Sequence, residues 1–210
     1  MKKRSATASR ILDAGREMFN HKGYAATSVT EIAASLGMSQ GNLTYHFPTK
    51  RDLAMAIEND LLQLMKARRI DLKPGPLVED YIEHLVFGMQ VIWRYRFVMR
   101  DRMHYADKPI GQRSDSELTA DYNELRSLLE RMWDEGLFIS DDRDTLETLS
   151  RSLWIVSRYW IDCLRELEGK LEVSWSEQER GIQHHLAVLL PLLKESARKD
   201  FQAALDRRQS

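Results

Sequence analysis

The chain is poor in the residues that make turns and cross-links. Ten glycines and five prolines in 210 residues leave room for long uninterrupted helices and argue against a turn-rich β fold. A single cysteine, Cys163, excludes an internal disulfide and any multi-cysteine zinc site. No run of about 18 apolar residues occurs, so no segment reads as membrane-spanning. The first residues, Met1 to Thr7, hold no continuous apolar stretch and do not read as a secretory leader, which makes a cytoplasmic protein the expectation. Internal repeats, low-complexity tracts and strand-like alternation beyond a few residues are also missing. An excess of one charge is missing too, since 31 basic side chains face 32 acidic ones. What remains is 43% hydrophobic and 30% charged, the composition of a folded chain.

The balanced total hides an asymmetry. Residues 1–51 hold eight basic side chains (Lys2, Lys3, Arg4, Arg10, Arg16, Lys22, Lys50, Arg51) against three acids (Asp13, Glu17, Glu31), a net +5. The remainder carries a net −6. A basic head on an acidic body points to a polyanionic partner for the head; uneven surface charge on a short segment is the alternative reading.

The apolar spacing is helical throughout. Ile11, Leu12, Ala14, Met18 and Phe19 share one face, and Gly23 follows as a stop. Ser28-Val29-Thr30-Glu31 is a capping box that opens a short helix with Ile32, Ala33 and Leu36 inward, ended by Gly37. Ser39 caps the next short helix, with Leu43 and Phe47 inward and Pro48 beyond it. Thr49-Lys50-Arg51-Asp52 opens a long helix that is expected to bridge two domains. Lys73-Pro74-Gly75-Pro76 is the clearest break, Asp107 to Ser116 reads as a loop, and Gly136 closes a further helix. Asp144-Thr145-Leu146-Glu147 opens the most regular helix. Ser176 to Glu179 is expected to cap the last one, with a kink at Pro191. The fold class is therefore all-α, with a helix-turn-helix domain over residues 1–52 and a larger helical domain over 53–210.

Residues 28–47 carry the functional signal: two short helices about a Gly37-Met38-Ser39 turn make a helix-turn-helix. In this motif the second helix enters the major groove of duplex DNA. With Leu43 and Phe47 inward, Gln40, Gly41, Asn42, Thr44, Tyr45 and His46 face outward or sideways. Gln and Asn amides pair with adenine, and a threonine methyl meets thymine. Gly41 costs a helix about 1 kcal/mol relative to alanine. Close approach of DNA, or of another helix, would explain it. Lys50 and Arg51 at a helix start, Thr27 and Ser28 at another, Tyr45 and His46, and the Lys2-Lys3-Arg4 tip are candidates for phosphate contacts.

Over residues 10–53 the chain resembles the N-terminal domain of the TetR family of bacterial transcription regulators. The matching residues are Ile11-Leu12-Asp13-Ala14, Phe19, Gly23-Tyr24, Thr27-Ser28-Val29, Ile32-Ala33, Leu36-Gly37-Met38-Ser39, Gly41-Asn42-Leu43, Tyr45-His46-Phe47, Lys50 and Leu53. The resemblance implies a repressor that binds a palindromic double-stranded DNA operator as a homodimer and responds to a small molecule held in its C-terminal domain. It implies backbone contacts from Thr27 and Ser28, base reading from Gln40, Gly41 and Asn42, further contacts from Tyr45 and His46, and a phosphate contact from Lys50. Thr44 stands where the family very often has tyrosine, which weakens any inference about the operator sequence.

Aromatic and methionine side chains crowd residues 81–160, and Phe87, Trp93, Met99, Met103, Trp133 and Trp154 are the candidates to line an effector cavity suited to an apolar or flat ligand. Ordinary core packing is the competing reading for each. His84 and His104 could orient a polar group; Arg94, Arg96, Arg100 and Arg102 either meet a carboxylate or pair with nearby acids. Cys163 reads as a buried thiol rather than a sensor. His184 and His185, being adjacent, point about 100° apart and cannot act as an i,i+4 metal pair, so neither metal nor cofactor is expected. No phosphate loop, nucleophile elbow or metalloprotease signature occurs, so an enzyme is not expected. A helical ligand-binding protein without DNA binding is the other rival, opposed by the intact Gln40, Tyr45, His46 and Lys50.

Overall fold

In a computed structural model the chain forms two compact units. One comprises Met1–Ile70 and Arg94–Ser114, the other Asp71–Trp93 and Asp115–Ser210. The structure describes residues 4–71, 73–106 and 117–209. The basic tip Lys2-Lys3 and the expected loop Asp107–Ser116 lie outside them.

The first unit contains α1 (Ala6–Lys22), α2 (Val29–Ser35), α3 (Gln40–His46), α4 (Lys50–Asp71, of which Asp71 falls in the second unit) and α6 (Arg96–Asp101). Each boundary has a local cause. Ser5 Oγ accepts from Ala8 N at the start of α1, and Gly23 ends that helix at φ 89°, a conformation that favours glycine. α4 opens on a reciprocal box: Thr49 N donates to Asp52 Oδ2 and Asp52 N to Thr49 Oγ1, both at 3.0 Å. Ile11, Phe19, Ile32, Leu43 and Leu53 are fully buried. Each such side chain contributes about 1.5–3 kcal/mol by leaving water. α6 joins this unit through Asn20, whose Nδ2 donates to Arg94 O (2.9 Å) and whose Oδ1 accepts from Phe97 N (3.1 Å).

The second unit is built from α5 (Leu77–Arg94, ending at the boundary between the units), α7 (Glu117–Asp134), α8 (Thr145–Glu168), α9 (Trp175–Leu189) and α10 (Glu195–Gln209). Its core takes Tyr81, Ile82 and Met89 from α5, Leu129 and Met132 from α7, Leu153 from α8, Leu189 from α9 and Phe201 from α10. α9 packs tightly on α8, because a Cβ on Gly181 would stand 2.7 Å from Trp160 Cδ1.

Two expectations are corrected here. The cap of α9 is Ser174 with Glu177, two residues earlier than Ser176 with Glu179. Pro191 does not kink one helix: α9 ends at Leu189, a 310 turn spans Leu190–Leu192, and α10 starts afresh. Pro191 lacks the N–H that would continue the ladder. The chain turns instead through an antiparallel bridge between Phe138 and Leu193, with Ile139 N donating to Leu192 O (2.9 Å) and Lys194 N to Leu137 O (2.8 Å). The sequence also gave no sign of the bend in α8, where Tyr159 has φ −111° and ψ 15°.

Candidate nucleic-acid interface

Ser28 Oγ accepts from Glu31 N (3.1 Å) while Glu31 Oε2 accepts from Ser28 N (2.9 Å), fixing the start of α2. The Ser28 N–H holds the Glu31 carboxyl down to about 2, helped by the Lys22 ammonium. After α2 the chain turns at Gly37 with φ +65°, and Met38 N returns to Ala33 O at 3.0 Å. Ser39 Oγ then accepts from Asn42 N at 3.2 Å and starts α3. Leu43 and Phe47 pin α3 to the core. Gln40, Gly41 and Asn42 are exposed, Thr44 and His46 half-buried, and the Tyr45 ring is 84% exposed with its edge toward His46. The turned-out face of α3 is thus polar and uncovered within its own unit.

A Cβ on Gly41 would meet nothing nearer than Ser39 Oγ at 3.9 Å, so among the described residues no neighbouring helix requires glycine there. The Thr44 hydroxyl donates back to Gln40 O (3.1 Å) and Gly41 O (3.2 Å). Thr30, which the sequence did not single out, donates from Oγ1 to Gln40 Oε1 at 2.8 Å.

The candidate phosphate-contacting residues are placed differently. Thr27 is 1% exposed and donates to Gly23 O at 2.8 Å. Lys50 Nζ donates to the carbonyls of Tyr24 (2.9 Å), Ala25 (3.3 Å) and Thr27 (2.9 Å) and lies 4.4 Å over the Tyr24 ring. The same loop is also held by Asp101 Oδ2, which accepts from Tyr24 N, and Arg100 donates to Phe19 O near the end of α1, both at 2.8 Å. Arg102 donates to Glu58 at 2.8 Å, so Arg100 and Arg102 take the ion-pairing alternative.

Of the six expected ligand-lining residues, Trp154 and Trp133 line separate cavities of the second unit. Trp154 lines a cavity of about 30 Å³ with Leu85 and Leu125. Trp133 lines another of about 200 Å³ with Phe138, Leu146, Leu149 and Pro191. Phe87 is half-buried on α5; Trp93 donates to Val173 O at 3.0 Å and stands edge-on to Trp175. Met99 and Met103 belong to the first unit, Met103 being 94% exposed. The Trp154 cavity has a polar half whose members no sequence spacing brings together: His84, Asp121, Ser157, Arg158 and His185. His185 bridges Tyr81 OH (2.7 Å) and Ser157 Oγ (2.8 Å), and burial pushes its pKa down to about 3. Cys163 is half-buried against the cluster of Trp160, Ile161 and Leu164.

An all-helical chain presenting a capped helix-turn-helix ahead of a separate helical body belongs to the class of DNA-reading regulators. Residues 11–57 match the model of bacterial regulatory proteins of the tetR family and residues 57–201 that of the TetR bacterial transcriptional repressor. The chain is a member of the TetR family. The transcriptional regulator RutR of Escherichia coli K12 is 34% identical over 82 residues, 37% of this chain and 39% of RutR, so the match spans under half of that relative. CymR of Pseudomonas putida is 25% identical over 158 residues, 71% of this chain and 73% of CymR. A TetR-family regulator from Marinobacter aquaeolei superposes with a TM-score of 0.77 at 26% identity, covering 97% of this chain and 98% of that one.

Proposed function

We propose that the chain is a ligand-responsive repressor that binds a palindromic operator as a homodimer in the cytoplasm. Residues 1–52 form the DNA-binding domain and 53–210 the effector-binding and dimerisation domain. The observation that carries this reading is the uncovered polar face of α3, held at a fixed angle by Leu43, Phe47 and the Ser39 cap. Gln40, Asn42, Tyr45 and His46 offer hydrogen-bonding groups to base edges and phosphates, and Gly41 lets the backbone approach closely. Thr44, its hydroxyl bonded to its own helix, has its methyl left for thymine. Thr27, Ser28 and Lys50 serve by fixing the loop and cap beside the DNA.

The effector site in this reading centres on the Trp154 cavity, which at about 30 Å³ has room for water alone and must open to admit a ligand. Trp154, Leu85 and Leu125 suit an apolar body, while Asp121 and Ser157 offer polar contacts. The effector lowers operator affinity only by binding the DNA-incompetent state more tightly.

Selection from random duplex DNA tests the first part. A two-fold palindrome is expected, with affinity falling steeply as salt rises. Asn42→Ala is expected to alter base preference at one position in each half-site, by about 1–3 kcal/mol. Enrichment of no sequence would sink the reading. For the effector, binders found by thermal shift are expected to release operator, and Trp154→Ala to blunt that release while sparing DNA binding.

A further inference from the structure

The cavity of about 200 Å³ in the second unit lies where the end of α7, the start of α8 and the 310 turn after α9 meet. Trp133 and Phe138 form one wall, their rings 5.3 Å apart and tilted by 32°. Leu146 and Leu149 form another, and Pro191 adds to it from the 310 turn. Backbone hydrogen bonds fix these walls. Gly136 N donates to Trp133 O (2.8 Å) and Leu137 N to Met132 O (3.0 Å) at the end of α7, and Ile139 N donates to Leu192 O (2.9 Å) across the bridge. Walls held in this way relax only partly toward the space between them.

The lining is chemically one-sided. Among the described residues no charged side chain lines this cavity. Its two hydroxyls are engaged in the turn before α8: Ser140 Oγ accepts from Asp142 N (3.1 Å) and Thr145 Oγ1 donates to Asp142 O (2.9 Å). An ion brought here would lose water and gain no opposite charge. Ile139 and Leu192 line the cavity yet remain exposed, so it reaches the surface beside apolar side chains. Size narrows the ligand further. An apolar cavity of about 150 Å³ is enough to take up benzene, whereas drug-sized pockets begin at about 300 Å³. We propose that this cavity is a second ligand site, which takes an uncharged molecule of one aromatic ring with at most a short alkyl substituent. Such a ring gains by leaving water and by stacking or edge contact with Trp133 and Phe138. The site shares no lining residue with the Trp154 cavity, and it does not rest on the operator reading.

The test uses the full chain labelled with fluorotryptophan, which gives one fluorine resonance for each of the five tryptophans. Trp133→Phe and Trp154→Phe assign the two that matter. Toluene titrated into the wild type is expected to shift the Trp133 resonance saturably and to leave that of Trp154 in place. Benzoate, a ring of the same size carrying a charge, is expected to bind more weakly by about ten-fold or more. Leu146→Phe puts a ring into the space and is expected to abolish the response to toluene, with thermal melting to show that the variant is folded. If it does not fold, the wild-type titration decides alone. Toluene that leaves Trp133 unshifted, or shifts Trp154 alone, overturns the proposal. So does benzoate binding as tightly as toluene, or a folded Leu146→Phe protein that responds as the wild type does. A Trp133 resonance that moves on dilution of the protein and ignores toluene also overturns it, by giving the cavity to a side chain of a second copy. No readout here involves DNA, so failure of this proposal and failure of the operator reading are separate results.

Discussion

Lys50 shows how a residue identity legible in the sequence can take a role that only coordinates reveal. The resemblance marks it as a phosphate-binding lysine, yet its three ammonium protons are directed to the carbonyls of Tyr24, Ala25 and Thr27. Those carbonyls lie in the loop that carries Thr27 and Ser28 into α2, a tertiary neighbourhood more than twenty residues away in sequence. Lys50→Met keeps the stem and removes the donors. Chemical denaturation is expected to show a loss of about 1–3 kcal/mol. DNA affinity should fall alike on all sequences with the salt slope unchanged. An unchanged midpoint with a slope lower by about one would return Lys50 to the phosphate role. His185 was equally opaque, since nothing in the pair His184-His185 says which ring is buried. Its pKa is lowered to about 3 by burial, with the nearby His84 adding to it. A depressed histidine binds fewer protons folded than unfolded, so its neutral form stabilises the fold above about 6.5 and the benefit is lost as pH falls toward 3. His185→Gln is expected to flatten the dependence of stability on pH between about 6.5 and 4, whose slope from one histidine is at most about 1.4 kcal/mol per pH unit. An equally steep dependence in that variant would assign the acid sensitivity to other groups.

Among elements, local chemistry decided what could be foreseen. The starts of α2, α3 and α4 were readable because Ser28, Ser39 and Thr49 cap them through side chains three residues or fewer away from their partners. The start of α9 was ambiguous for the same reason: Ser174-Trp175-Ser176-Glu177-Gln178-Glu179 contains two overlapping capping frames. The first is the one formed, and Lys170 pairs with Glu177 at 2.9 Å, a contact no spacing rule supplies. The Glu177 carboxyl is held down to about 2 by Lys170 first and the Ser174 N–H next. A depressed carboxylate stabilises above about 4.5 and the benefit fades as pH falls toward 2. No local pattern marks the α8 bend, whereas Pro191 marked the place of an interruption but not its form, a 310 turn and a fresh helix instead of a kink. The contact between α8 and α9 gives a direct test at this scale. Gly181→Ala would put a methyl 2.7 Å from Trp160 Cδ1 and 3.0 Å from Met89 Cε. The indole is rigid and hydrogen-bonded to Glu177 O at 2.8 Å, so it cannot step aside cheaply. A loss of about 1–3 kcal/mol is expected, read as a lowered denaturation midpoint. A neutral or stabilising substitution would mean that α9 can shift on α8.

At the scale of the whole molecule, the order of functions along the chain was legible from the basic head and the helix-turn-helix, because both are encoded in adjacent residues. The cavity proposed for the effector was not, because His84, Asp121 and Ser157 come from three helices and meet only when the second unit packs. The same unit leaves apolar surface that its core does not use. Ile155 (53% exposed) and Tyr159 (50%) lie one turn apart on α8, and Val188 (41%) lies on α9 one turn after the exposed His184. One short recognition helix reads only a few base pairs, whereas a two-fold dimer presents two helices about 34–36 Å apart on one face of a duplex. Joining α8 and α9 of one subunit to those of a second by a two-fold axis would cover these side chains in an isologous four-helix interface. Ile155→Asp combined with Val188→Asp places four carboxylates in such an interface, and like charges excluded from water repel strongly. Sedimentation at micromolar concentration is expected to show a dimer for the wild type and a folded monomer for the variant. The variant should bind a single half-site as the wild-type subunit does, but lose the gain from a second half-site on the same duplex. A wild type that sediments as a monomer without DNA, or a double variant that remains dimeric, would place the subunit contact elsewhere or remove it altogether.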